Sequence, residues 1–386
     1  MKIAYILGGF PSTSETFIMN EIIQLISQGL EIEVYSIFQP IGAVLHLEII
    51  ENQLLERTFY FRYRNILKLK SKYGFLLKFL KISGVNLRGR CTIAYFAQLA
   101  KERGINHVHS HFIHHYGEAI SRTAKIPYSF TAHCFEEKGM SGLAKKKLKG
   151  LIEYALFVVA ASEFVRNGLS SMVPPEHKGK IRTIYCGIRT DKFKGRKTED
   201  RPFTINCVGI GTYPSKGGRY LIEALNLIRN NLSFKAFFIG DGSERIKLEK
   251  ISRENLLEEH ITFTGKLTSD QVLEYHREAD CFVLPCVVMP DGQMDGLPVS
   301  IMEAMAMGLP VISTPVAGIP ELVIDGETGL LVPERDSRAL AVAIMRLYDD
   351  TQLRELIGKR ARQKVVTEFN LEKTGQQLAK LYQQYV

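Results

Sequence analysis

Short apolar runs of strand length alternate with helix-length mixed segments along almost all of this 386-residue chain, and that alternation restricts the fold more than any other feature. Residues 2–7 (KIAYIL) read as a buried strand. A Gly8-Gly9 turn follows, then helical spacing through Phe17, Ile18, Ile22, Leu25 and Ile26, then a second strand over residues 32–38. A continuous apolar run, a 3.6-residue period and another apolar run make a βαβ unit, whose strands are parallel and covered on both faces. Further runs at residues 107–112, 128–132, 157–161 and 181–185 extend the series. The polar stretch 189–202 (RTDKFKGRKTEDRP) breaks it, and a second series occupies residues 203–208, 235–239, 261–263, 281–284, 310–313 and 330–332. The expected fold class is therefore α/β, with two Rossmann-like doubly wound domains, residues 1–195 and 196–368, facing each other across a cleft. In such sheets ligands bind beyond the carboxyl ends of the strands, so function is expected in that cleft.

Length supports two cores rather than one, since a single domain usually takes about 100–200 residues. The six cysteines form no Cys-x-x-Cys pair, which argues against a zinc ribbon or a redox dithiol. No run reaches the roughly 18–20 apolar residues of a membrane-spanning helix, and the start MKIAYILGGF lacks a basic region ahead of a cleavable apolar one. A cytoplasmic location is expected. The net charge of +9 is unevenly spread: residues 57–90 hold ten Lys and Arg and no acid, interleaved with Phe59, Phe61, Tyr63, Phe75 and Phe79. Each basic group beside an anionic leaflet contributes about 1 kcal/mol, so this segment is expected to hold the protein peripherally on the inner face of the cytoplasmic membrane. An amphipathic pair of helices with a solvated basic side is the alternative. No nucleic-acid-binding module accompanies the charge, and no nucleic-acid partner is expected.

Three clusters carry the chemistry. Gly209, Gly211 and the run Ser215-Lys216-Gly217-Gly218 lie between a strand and a helix, where glycines admit a phosphate to helix-end N–H groups and Lys216 adds a point charge. Gly240-Asp241-Gly242 is a second such turn. The densest segment is DGQMDGLPVSIMEAMAMG, residues 291–308, which passes from a Gly/Asp loop through Gly296-Leu297-Pro298 into a helix bearing Glu303. A helix start can receive phosphate while a carboxylate one to two turns in accepts the hydroxyls of a ribose. The structural alternative has Asp295 capping that helix and Glu303 paired to a base. Five histidines between positions 107 and 115 suggest a metal cluster, but no acid or cysteine is expected to complete the set, so hydrogen bonding by His111 or His114 on the acceptor side is expected and no metal site is assigned.

The segment ending Glu303-Ala304-Met305-Ala306-Met307-Gly308-Leu309-Pro310-Val311-Ile312, preceded eight positions earlier by Asp295, resembles the signature of family-4 retaining glycosyltransferases of the GT-B fold. The likeness runs nearly end to end through Phe10-Pro11-Ser12, Phe130-Thr131-Ala132-His133, Tyr185-Cys186-Gly187-Ile188, Phe263-Thr264-Gly265 and Gly318-Ile319-Pro320-Glu321, and is similar to bacterial exopolysaccharide and colanic-acid-type enzymes. The resemblance implies a metal-independent transfer of a sugar from a nucleoside diphosphate donor, UDP or GDP type, to a lipid-linked or polysaccharide acceptor, with no separate cofactor. It implies that Glu303 binds the ribose, Asp295 the donor sugar and Lys216 the diphosphate. Gly296 and Leu297 would approach sugar and phosphate, the loop after Gly265 would border the base, and His133 would lie beneath the sugar. Gly8 and Gly9 would face the donor across the cleft, with Glu15 on the acceptor side. It also implies that residues 369–386 form a helix returning to the first domain. Two departures stand out: the first acid is Asp, and the arginine the family carries after its Val-Gly pair is absent from Val208-Gly209-Ile210-Gly211. That absence motivates a second reading, a catalytically silent nucleotide-sugar-binding or scaffold protein of the same fold.

Overall fold

A computed structural model describes residues 1–12, 15–40, 45–62, 85–113, 115–135, 140–195 and 201–385. Its strands fall into two sheets, every named pair of strands parallel. The first contains β1 (Lys2–Gly9), β2 (Glu31–Phe38), β3 (Thr58–Tyr60), β4 (His107–His111), β5 (Tyr128–Ala132), β6 (Val158–Ala160) and β7 (Ile181–Thr183), in the order β3-β2-β1-β4-β5-β6-β7. The second contains β8 (Phe203–Val208), β9 (Phe234–Ile239), β10 (Ile261–Gly265), β11 (Cys281–Leu284), β12 (Val311–Ser313) and β13 (Leu330–Leu331), in the order β10-β9-β8-β11-β12-β13. Each order reverses once, between β1 and β4 and between β8 and β11. A reversal opens a crevice at the strand ends because the helices on its two sides pack on opposite faces. The residues just beyond β1 and β8 therefore border the cleft.

Both sheets are buried on both faces, as continuous runs such as Ile3–Leu7 and Cys281–Leu284 require. Strand β3 lies inside the stretch read from sequence as basic and membrane-facing. Thr58 and Phe61 are buried there, and Arg88 and Arg90 belong to the helix Leu87–Glu102, so both ends of residues 57–90 are built into the first domain. Residues 63–84 lie outside the described residues.

The chain crosses between the sheets twice, and the two crossings are hydrogen-bonded to each other. The Ile188 N–H donates to the Phe369 carbonyl at 3.0 Å, and the Leu371 N–H to the Ile188 carbonyl at 3.0 Å. After the second crossing the helix Leu371–Tyr385 packs on the first domain: Tyr382 is buried against Phe157 and its hydroxyl meets that of Tyr5 at 3.2 Å. Within the second domain the helix Val299–Met307 is apolar nearly all round, with Ile301, Met302, Ala304, Met305, Ala306 and Met307 buried. A helix of that composition is a central core element. Its amino terminus opens onto the cleft.

Candidate active site

A cavity of about 1480 Å³ runs between the ends of β1 and β8, walled by Gly8, Gly9, Glu15 and His133 from the first domain and by Gly209, Lys216, Gly240, Asp295, Gly296, Leu297 and Glu303 from the second. Gly265 lies beside this wall, where its neighbour Lys266 lines the cavity. His111 is fully buried behind the wall, and His114 lies outside the described residues.

Lys216 closes a short 3-10 turn, Pro214–Lys216, before the helix Gly218–Ile228. Gly217 between them has φ +72°, and a Cβ there would sit 1.9 Å from the Pro285 carbonyl oxygen. Only glycine can turn the chain so tightly against β11, and that turn aims the lysine across the strand ends. The Lys216 ammonium is ion-paired with Asp295. Burial works against its charge, but Asp295 and the sulfurs of Cys286 and Cys207 outweigh this and hold the group above the ordinary lysine value. Asp295 is thus neither a helix cap nor free: the cap position of the helix Val299–Met307 is Pro298, and no side chain among the described residues caps it. First-turn N–H groups at the positive end of a core helix make an anion-accepting wall. Ser300, the second residue of that helix, carries a buried hydroxyl without a hydrogen-bond partner among the described residues; its polar side chain was not singled out from sequence.

Glu303 follows one turn later. Its carboxyl has no ion pair or hydrogen bond among the described residues, and burial alone pushes its pKa from 4.5 up to about 7. An unpaired acid in an apolar helix is costly for the fold and is a common mark of a functional site. The alternative that pairs Glu303 to a base is not what the structure contains.

Across the cavity, His133 is held between Phe17 and Phe112, with ring centroids 4.6 and 4.9 Å away, and stacks on His111 at 5.2 Å. Its Nε2 meets His111 Nδ1 at 2.9 Å, and its Nδ1 lies 3.6 Å from the Cys186 sulfur. His111 Nε2 in turn meets Glu21 Oε1 at 3.1 Å, and Glu21 accepts the Tyr5 hydroxyl at 2.7 Å. Both ring nitrogens of His133 therefore have partners within the first domain. Burial, and next the neighbouring His111, hold His133 well below the ordinary histidine range, so the ring is neutral. Glu21, His109 and His111 bring potential metal ligands within 4.8 Å of one another. The His109 nitrogens, however, are taken by the hydroxyls of Ser129 at 2.7 Å and Thr131 at 3.0 Å, so ligation would break existing bonds. Glu15 stands at the cavity mouth with its pKa raised by burial, an effect that His111 and Ser12 partly counter.

Sequence reasoning did not anticipate Arg245. It lines the same cavity, bonds Glu249 Oε1 at 2.7 Å, and lies close over Gly265, where a Cβ would sit 2.8 Å from its Nη1. Its position three residues after the Gly240-Asp241-Gly242 turn was the available signal.

The model for "Glycosyltransferase Family 4" matches residues 14–192, and the model for "Glycosyl transferases group 1" matches residues 202–350. The chain is 29% identical to the putative colanic acid biosynthesis glycosyltransferase WcaL of Salmonella typhimurium, over 99% of this chain and all of that protein. It is 29% identical to the amylovoran biosynthesis glycosyltransferase AmsK of Erwinia amylovora, over 99% of each. Among solved structures, Anabaena HepE in complex with UDP and glucose superposes with a TM-score of 0.79 at 18% identity, covering all of both chains. Sucrose-phosphate synthase from Thermosynechococcus elongatus gives 0.77 at 21% identity, over 100% of this chain and 98% of that one. With one model on each domain, two facing doubly wound sheets and full-length likeness to polysaccharide-building enzymes, the chain belongs to the family-4, group 1 glycosyltransferases of GT-B architecture, of exopolysaccharide type.

Proposed function

We propose that this protein transfers a sugar, with retention of anomeric configuration and without a divalent metal, from a UDP- or GDP-type donor to a lipid-linked or polysaccharide acceptor in cell-surface polysaccharide synthesis. In this reading residues 1–195 bind the acceptor, residues 196–368 bind the donor, and residues 369–386 tie the two together. The observation that carries it is the unpaired carboxyl of Glu303, one turn inside a helix whose uncapped amino terminus shares a cavity with Lys216. Glu303 accepts the ribose hydroxyls, which replace the solvent its burial has removed. Breaking the bond from the anomeric carbon to the diphosphate builds negative charge on the leaving phosphate and positive charge on the sugar. Lys216 and the first-turn N–H groups are fixed in advance where that negative charge grows. Asp295, now on Lys216, is placed to exchange the ammonium for a sugar hydroxyl once the diphosphate takes the lysine. His133 lies beneath the sugar, and Gly8, Gly9 and Glu15 border the acceptor entrance. Enclosure between the domains keeps water from the donor. The names of WcaL and AmsK support a polysaccharide product, and the UDP and glucose in the HepE structure support a nucleotide-sugar donor. In the same reading the ten basic residues of 57–90 hold the enzyme on an anionic membrane surface.

Incubation with a panel of UDP- and GDP-sugars and lipid-linked acceptor tests this. Released nucleoside diphosphate that depends on acceptor, and its loss in Glu303→Gln with the fold retained, is the expected result. Tight nucleotide binding with no turnover for any pair points instead to the silent binding protein suggested by the absent arginine.

A further inference from the structure

The Gly318-Ile319-Pro320-Glu321 run has no part in the chemistry above, yet its acid makes a two-bond contact between the two domains. The Glu321 carboxylate accepts the backbone N–H of Glu163 through Oε2 and that of Phe164 through Oε1, each at 2.8 Å. Glu163 and Phe164 are the first two residues of the helix Glu163–Ser171, which already has a cap of its own in Ser162, whose hydroxyl accepts from the Val165 N–H at 3.1 Å. Glu321 supplies the remaining orphan amides with an anion at the positive helix end. Because the acid comes from the other sheet, the effect is to join domains rather than to start a helix.

The join leads to the cavity floor. The Glu321 N–H donates to the Gly318 carbonyl, and the Gly318 N–H to the Gly296 carbonyl, both at 2.9 Å. Gly296 lies so close to the first domain that a Cβ on it would sit 2.2 Å from the His133 carbonyl oxygen. Glu321, Gly318 and Gly296 therefore form one connected ledge, fixed at its far end to the helix Glu163–Ser171 and pressed at its near end on His133.

We propose that Glu321 is a positioning residue: its carboxylate fastens the second domain to the start of the helix Glu163–Ser171 and thereby sets the Gly296-Leu297 turn against His133. Without it, the ledge loses its anchor in the first domain and the cavity loses its closed shape. The affinity consequence rests on the donor-site reading above; the contact between domains does not.

Hydrogen exchange and X-ray scattering on the full chain, with binding of UDP and of GDP, test the proposal in Glu321→Gln. An amide side chain can accept only one of the two N–H groups and turns a donor toward the other. Exchange at residues 163 and 164 is expected to quicken by about tenfold or more, with β8 unchanged and the radius of gyration increased. Affinity for whichever nucleotide the unaltered protein binds is expected to fall about tenfold. Unchanged exchange at 163 and 164 overturns the proposal. So does faster exchange with a lower melting temperature but unaltered nucleotide affinity, because Glu321 then supports only the fold. If the unaltered protein binds neither nucleotide, the donor reading fails on its own, and the joining of the domains is decided by exchange and scattering, where an unchanged radius of gyration overturns it. Should Glu321→Gln not fold, Glu321→Asp, short by one methylene, is expected to give intermediate exchange, and exchange equal to the unaltered protein counts against the latch.

Discussion

Glu303 holds its proton in the folded protein up to about pH 7, whereas an unfolded glutamate releases it near 4.5. Between those values the folded state binds the extra proton, so stability falls as pH rises through that window and stays low above it. The glutamine variant has no such charge to bury. Glu303→Gln is therefore expected to raise the melting temperature at pH 8 and to change it little at pH 4.5, by a free energy on the order of 1–3 kcal/mol at the higher pH; equal shifts at both values, measured calorimetrically, count against the burial account. A carboxylate in an apolar helix was legible in the sequence; its want of a partner among the described residues was seen only in the structure. The pairing of Lys216 with Asp295 was not legible in the sequence either. It depends on a long-range approach between two loops, which residue spacing does not encode, and the same holds for Glu321 and its partners in the other domain.

Elements were easier to find than their contacts. Parallel strands covered on both faces are mostly apolar, so runs such as Tyr128–Ala132, Phe203–Val208 and Cys281–Leu284 stood out from the mixed helices between them. Strand β3 did not, because three residues at a sheet edge carry no pattern and its neighbours are basic and aromatic. The turn before the helix Gly218–Ile228 shows what the glycines do. Gly217→Ala places a methyl group on a backbone carbonyl and forces a left-handed conformation on alanine. A loss of about 3 kcal/mol or more is expected, read from urea denaturation; a loss below about 0.5 kcal/mol means that this turn does not depend on its close approach to Pro285.

At the scale of the molecule, two like-built halves meet where their strand orders reverse, and the paired crossings at Ile188 and Asn370 with the returning helix hold them in register. Charge is spread unevenly between the halves, with the basic excess in the first. Reversing Arg62, Arg64, Lys68 and Lys70 to Glu is expected to free the protein from anionic vesicles at low salt, since surface attraction of this kind acts within roughly a Debye length; unchanged co-sedimentation removes the electrostatic explanation. The central claim is that the cavity between the halves holds a sugar nucleotide by its ribose and diphosphate. A crystal structure of the protein soaked with UDP and, separately, with GDP tests it most directly. The account predicts, for one of them, ribose hydroxyls within hydrogen-bond distance of Glu303 and the diphosphate on Lys216 and the start of the helix Val299–Met307; a nucleotide bound elsewhere, with Glu303 still unpartnered, contradicts it.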